Sequence, residues 1–185
     1  MKHLRRLLPL YVLLLLACFL MRKKNSYAIE FSNTSIMYYL SNAGLFNQFS
    51  NLLVEAQADT WLSKVNLFGA EDGFTVFAPT DKAFFDFSRI GILRDAPEKR
   101  PLLEKFIKFH IVPRKLSRSQ LRPKSGSRFD TLAEKKLDVN AIGTVLYSVE
   151  VSNGVIYVVD KVLVNPDLKA FFPEAAAGRQ SPRPR

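Results

Sequence analysis

What this chain has little of narrows it first. It holds one cysteine, Cys18, set in an apolar run, so no disulfide can close within the chain and no cysteine-based metal site can form. Of its two histidines, His3 and His110, only His110 lies in the body, which leaves zinc short of ligands. Surplus charge is also scarce where it would matter. The formal net charge is +10, yet residues 1–28 carry six basic side chains (Lys2, Arg5, Arg6, Arg22, Lys23, Lys24) and no acid. Residues 169–185 add four more (Lys169, Arg179, Arg183, Arg185) against Glu174. Residues 29–168 hold 17 basic and 16 acidic side chains, so the body has no global field to hold a phosphate backbone. Nucleic acid is excluded as a partner class, and nothing in the sequence asks for a cofactor.

A long apolar run occurs once, at residues 7–21 (LLPLYVLLLLACFLM), with basic residues on both sides. A basic start followed by an apolar core is the pattern of an export signal. At ~1.5 Å per residue the run is roughly 22 Å long, and snorkelling Arg6 and Arg22 stretch it toward a membrane span. Three fates compete. Retention as a single-pass anchor suits the flanking charges best. Cleavage near Ala28, giving a secreted product, would use Ser26 and Ala28 as small residues. Lipid attachment at Cys18 is suggested by Leu15-Leu16-Ala17-Cys18, although Leu16 is bulky for that motif. In each case the downstream domain is the exported, extracytoplasmic part.

The remaining composition, 48% hydrophobic with 15 phenylalanines, supports one folded domain with an aromatic core. The organisation expected is a signal or anchor segment at 1–28, a domain at 29–168 and a basic, disordered tail at 169–185. Ile36, Met37 and Leu40, then Phe46, Phe49, Leu52, Leu53 and Ala56, recur at helical spacing after the capping residues Asn33-Thr34-Ser35. Asn33 also opens the chain's one Asn-X-Ser/Thr glycosylation acceptor. Residues 74–78 read as a buried strand, stopped by Pro79. Thr80 then caps a helix over 81–87. A second helix is expected over 97–109, with Pro113 closing it. Short strands follow at 130–132, 137–139 and 145–151. Asn153-Gly154 marks a two-residue hairpin into a strand at 155–159 that is apolar on both faces. Helices first and most strands later predict an α+β domain.

Three segments resemble the fasciclin domain family. Residues 74–84 (FTVFAPTDKAF) are similar to its first signature, residues 153–163 (NGVIYVVDKVL) to its second, and residues 108–113 (KFHIVP) to its central Tyr-His segment. Order and spacing agree over about residues 33–166. The resemblance implies a wedge of strands packed against a helical layer, a cell-surface or extracellular life in adhesion, and no catalysis. It implies cell-surface or matrix proteins or polysaccharides as partners, homophilic contact included. Phe109 stands where the family commonly has Tyr, and Tyr157 where it often has His. The proline-rich stretches and hydrophobic C-terminal tail of plant arabinogalactan-type members are absent.

Candidate contact residues follow from both readings. Phe109, His110 and Asp160 are partner-binding candidates by resemblance. His110 can equally be a satisfied core histidine, bonding near Thr80, and Asp160 a turn carboxylate capping local N–H groups or pairing with Lys161. Residues 105–128 hold eight basic side chains and no acid. That run is either a solvated face or a polyanion patch centred on Arg114, Lys115, Arg118, Arg122 and Lys124, facing acidic glycans or anionic headgroups. Aromatic residues do not interleave with it as single-stranded nucleic acid would need. The rival class is a polysaccharide-active enzyme, which needs two carboxylates across a cleft.

Overall fold

Alternating apolar side chains at 74–79 and 154–159 build the middle of a five-stranded sheet, and the rest of the chain covers its two faces. The computed structural model describes residues 28–31, 34–62, 73–87, 99–122 and 127–171. The expectations for the apolar leader, Cys18, Asn33, Lys124, the helix start at 97–98 and the tail beyond 171 fall outside those residues.

The elements run β1 (Ala28–Phe31), α1 (Ile36–Asn42), α2 (Asn47–Glu55), α3 (Ala58–Leu62), β2 (Phe74–Pro79), α4 (Asp81–Asp86) and α5 (Arg100–Phe109). Next come β3 (Ile111–Val112), β4 (Arg128–Asp130), β5 (Lys136–Asp138), β6 (Val145–Val151) and β7 (Gly154–Val159), closed by a 3-10 turn at Pro166–Phe171. The main sheet has the order β1-β6-β7-β2-β3, and β4 and β5 form a separate antiparallel pair. β1 runs parallel to β6 and β7 parallel to β2, while β6–β7 and β2–β3 are antiparallel. The mixture of helices and sheet is the α+β class expected.

β2 and β7 are buried along their whole length. Phe74, Val76 and Ala78 on β2, with Ile156 and Val158 on β7, face the helical layer and pack with Ile36, Leu40, Phe49, Leu53 and Phe106. Phe77 on β2, with Val155, Tyr157 and Val159 on β7, faces the other way and packs with Phe109, Leu116, Leu121, Phe129 and Leu137. The period-2 alternation of a strand thus splits one sheet between two cores. Burying a Phe or Leu side chain contributes about 1.5–3 kcal/mol, so each core is a large share of the stability.

Several sequence expectations shift on contact with this architecture. The two-residue turn is Ser152-Asn153, one position earlier than expected, and Gly154 already pairs with Val151 in β7. A Cβ at Gly154 would run into the carbonyl of Phe74, so glycine is required by the neighbouring strand rather than by the turn. α5 ends at Phe109 as expected, but Ile111 and Val112, ahead of Pro113, pair with Val76 and Thr75 as the unexpected strand β3. β4 and β5 lie one to two residues before the expected strands, and α3 was not anticipated. β1 begins at Ala28, and the closing turn runs to Phe171 with Leu168 buried.

Candidate binding surface

The residues marked for partner contact separate into buried and exposed sets. His110 caps the C-terminal end of α5 and is 0% exposed. Its ring lies between Phe106 and Phe49, at centroid distances of 4.9 and 5.4 Å. Nδ1 is 2.9 Å from the Phe106 carbonyl, and Nε2 accepts the Leu163 N–H at 3.1 Å. An accepting Nε2 leaves the proton on Nδ1, which donates to Phe106, so the neutral ring is fully satisfied. Burial pushes its pKa down to about 4, against a smaller opposing effect of the Phe106 hydrogen bond. The bonds expected near Thr80 go instead to Phe106 and Leu163. Thr80 accepts from the Ala83 N–H as the cap of α4. Phe109, at 4% exposure, turns into the second core. Both the Phe109 and the His110 side chains are buried rather than presented at the surface.

Asp160 is exposed, and its Oδ1 accepts the Thr144 N–H at 2.8 Å. It caps the turn at Gly143, where a Cβ would lie 2.7 Å from the same oxygen. Among the described residues, no cluster of three His, Cys, Asp or Glu side chains could hold a metal ion.

The exposed set lies on the strand-side face, opposite the helices. Arg114, Lys115, Arg118 and Arg122 are all exposed, on a segment fixed from below. The Thr75 hydroxyl donates to the Arg114 carbonyl at 2.7 Å and accepts the Leu116 N–H at 2.8 Å. The Tyr157 hydroxyl donates to the Leu116 carbonyl at 2.8 Å. Both backbone groups of Leu116 are therefore held by side chains of the two central strands, while Leu116 and Leu121 plug into the second core. Burial pushes the Tyr157 hydroxyl up to about 12; nearby Glu150 adds to the rise and Arg118 opposes it. Between the two leucines, the N–H groups of Gln120, Leu121 and Arg122 bond the carbonyls of Ser117, Arg118 and Ser119. The Gln120 side chain accepts from the Ser117 N–H at 2.8 Å.

Each basic group has its own setting. The Arg114 guanidinium lies 5.4 Å over the Phe129 ring, and Lys115 pairs with Glu150 at 2.9 Å. Nearby in sequence, Arg128 meets Asp138 at 3.7 Å. Lys108, at the other end of the run, belongs to α5 and pairs with Glu104. The run of eight basic side chains over residues 105–128 is thus divided, and its 114–122 part forms a loop platform held by these hydrogen bonds. Sequence reasoning found its charges but missed Thr75 and Tyr157, whose hydroxyls fix it. The signal was a hydroxyl-bearing residue within each of two otherwise apolar, buried strands.

The fasciclin domain model matches residues 44–165. Protein sll1483 of Synechocystis sp. is 30% identical over 154 residues, 78% of this chain and 82% of that protein. Fasciclin-like arabinogalactan protein 11 of Arabidopsis thaliana is 30% identical over 89 residues, 48% of this chain but only 35% of that protein. A FAS1 domain pair from the insect cell adhesion molecule fasciclin I superposes with a TM-score of 0.46 at 18% identity, over 65% of this chain and 45% of that one. The family match covers most of the residues that build both cores and all of the 114–122 platform, and on it the chain belongs to the fasciclin domain family, a family of adhesion and binding domains.

Proposed function

We propose that this chain is a non-enzymatic adhesion or binding domain held on the extracytoplasmic side of a membrane by its apolar N-terminal segment. The observation that carries the reading is the division of chemistry between inside and outside. The body's one histidine is sealed in the core as a neutral, doubly bonded ring, where no substrate reaches it. What faces solvent on the strand side is a rigid set of charged side chains suited to contact rather than to bond breaking. Partners are therefore cell-surface or matrix molecules, met through exposed loops.

Retention of the N-terminal segment gains support from β1. Ile29, Glu30 and Phe31 pair with Val149, Glu150 and Val151, and Ala28 pairs with Ser148. Cleavage after Ala28 would cut the strand at its first residue, leaving a new charged terminus on the sheet edge. N-terminal sequencing and intact mass of the protein from its native host test this directly. An intact Met1 in the membrane fraction is expected. A soluble product starting near Glu30 overturns the tether, and a lipid on Cys18 replaces it with a lipid anchor. For adhesion, beads coated with the full chain in neutral nanodiscs are expected to cluster with one another or with host cells. Beads that stay dispersed with both overturn the adhesion reading.

A further inference from the structure

We infer that the 114–122 platform is a docking surface for acidic polysaccharide, carrying carboxylate or sulfate groups. Four basic side chains (Arg114, Lys115, Arg118, Arg122) leave nine consecutive residues that contain no acid. Three of them are arginines spaced four apart, and a guanidinium fork matches the planar oxygen pairs of carboxylate and sulfate. The backbone beneath is fixed by Thr75, Tyr157, Leu116 and Leu121, so the charges are presented with little ordering left to do on binding. The Lys115–Glu150 pair is more than one-third exposed on both sides, which makes it readily exchangeable for a ligand anion.

A glycan fits this face better than a lipid bilayer does. The large apolar side chains most exposed among the described residues are Tyr38, Leu45, Val54, Phe85 and Leu146, none of them in the platform. Four of the five belong to the helical layer, across the sheet from the arginines. A surface built to sit in headgroups would pair its basic residues with apolar ones on the same side. Here the exposed residues between the charges at 114–122 are the polar Ser117, Ser119 and Gln120.

The inference rests on the reading of the chain as an exported binding domain, and a cell-free assay keeps the two separable. The full chain, carried in neutral phosphatidylcholine nanodiscs, is passed over immobilised dextran sulfate, polygalacturonate and neutral dextran. Retention on the two acidic polymers is expected, falling as salt rises, with none on neutral dextran. Changing Arg114, Lys115, Arg118 and Arg122 together to Gln should weaken binding about tenfold or more. An equal-charge control changing Lys82, Arg100, Lys161 and Lys169 to Gln should leave it within about threefold. The thermal midpoint of each variant is measured alongside, and Arg122→Glu serves as a single exposed change if the fourfold variant unfolds. Equal losses in both variants, or retention unchanged in the platform variant, overturn the inference. Flotation with phosphatidylserine vesicles without retention on either polymer also overturns it, by assigning the surface to headgroups. None of these failures would touch the bead-clustering or N-terminal results.

Discussion

At position 110 an ionisable ring has been placed where only its neutral form fits. In the folded chain the pKa is about 4, against 6.5 for an unperturbed histidine. The unfolded chain therefore binds the extra proton first as pH falls. Stability is fully present above about pH 6.5 and is lost progressively down to about pH 4, a difference of about 3 kcal/mol. Urea unfolding of the wild type between pH 7 and pH 4 is expected to show that loss, and His110→Gln is expected to flatten it. A wild-type profile matching that of the variant would refute the assignment. Asn153 makes a second residue-scale case. Its Oδ1 accepts the Ile36 N–H at 2.9 Å and its Nδ2 donates to the Leu62 carbonyl at 3.2 Å. One turn residue thereby ties the start of α1 and the end of α3 to the β6–β7 hairpin. Asn153→Ala should cost about 1–3 kcal/mol, read as a lower urea midpoint with unchanged slope. The sequence marked this asparagine as a turn former, and its positive-φ role was the wrong reason. The turn sits one residue earlier, and the side chain matters for two long-range bonds that no local pattern encodes.

Among elements, the same division between local and long-range information recurs. α4 was legible because its signals are local: Pro79 stops the strand, and Thr80 caps the helix through the Ala83 N–H. α2 has no such cap of its own, since Phe46 occupies that position. Its first turn is capped from α4, where Asp81 accepts the Gln48 N–H and the Asn47 side-chain amide, both at 2.8 Å. β3 was invisible for a related reason. Two residues carry no periodicity, and Ile111-Val112 become a strand only because β2 offers an unpaired edge. The platform shows how such a dependence bears on function. Thr75→Val keeps the shape of β2 but removes the Thr75 bonds to the Arg114 carbonyl and the Leu116 N–H, leaving only the Tyr157 bond to the Leu116 carbonyl. Amide exchange at Leu116 is expected to speed up by about tenfold or more, with a stability loss of about 1–3 kcal/mol. Unchanged exchange at Leu116 would mean that the Tyr157 bond and the apolar plugs hold the loop without Thr75.

Over the whole molecule, the class and the first core were readable, while the second core and the site it supports were not. Phe74, Val76 and Ala78 announce a buried strand, and helical periodicity announces what covers one face. What covers the other face is assembled from Leu116, Leu121, Phe129, Leu137 and Ile142, scattered through loops and short strands with no shared period. The two cores are joined by β2 and β7, whose alternate side chains serve one each. Neither face can open without exposing strands that the other face needs, so the domain should unfold in one step. Phe106→Ala, in the helix-side core, should cost about 3–5 kcal/mol, and Leu137→Ala, across the sheet, about 2–5 kcal/mol. Each should lower a single transition seen identically by helical circular dichroism and by tyrosine fluorescence. If Leu137→Ala instead splits the curve, with the helical signal surviving after the strand-side face is lost, the two cores are separate units. The 114–122 platform would then stand on the weaker unit, and its order would fail at conditions where the rest of the fold persists.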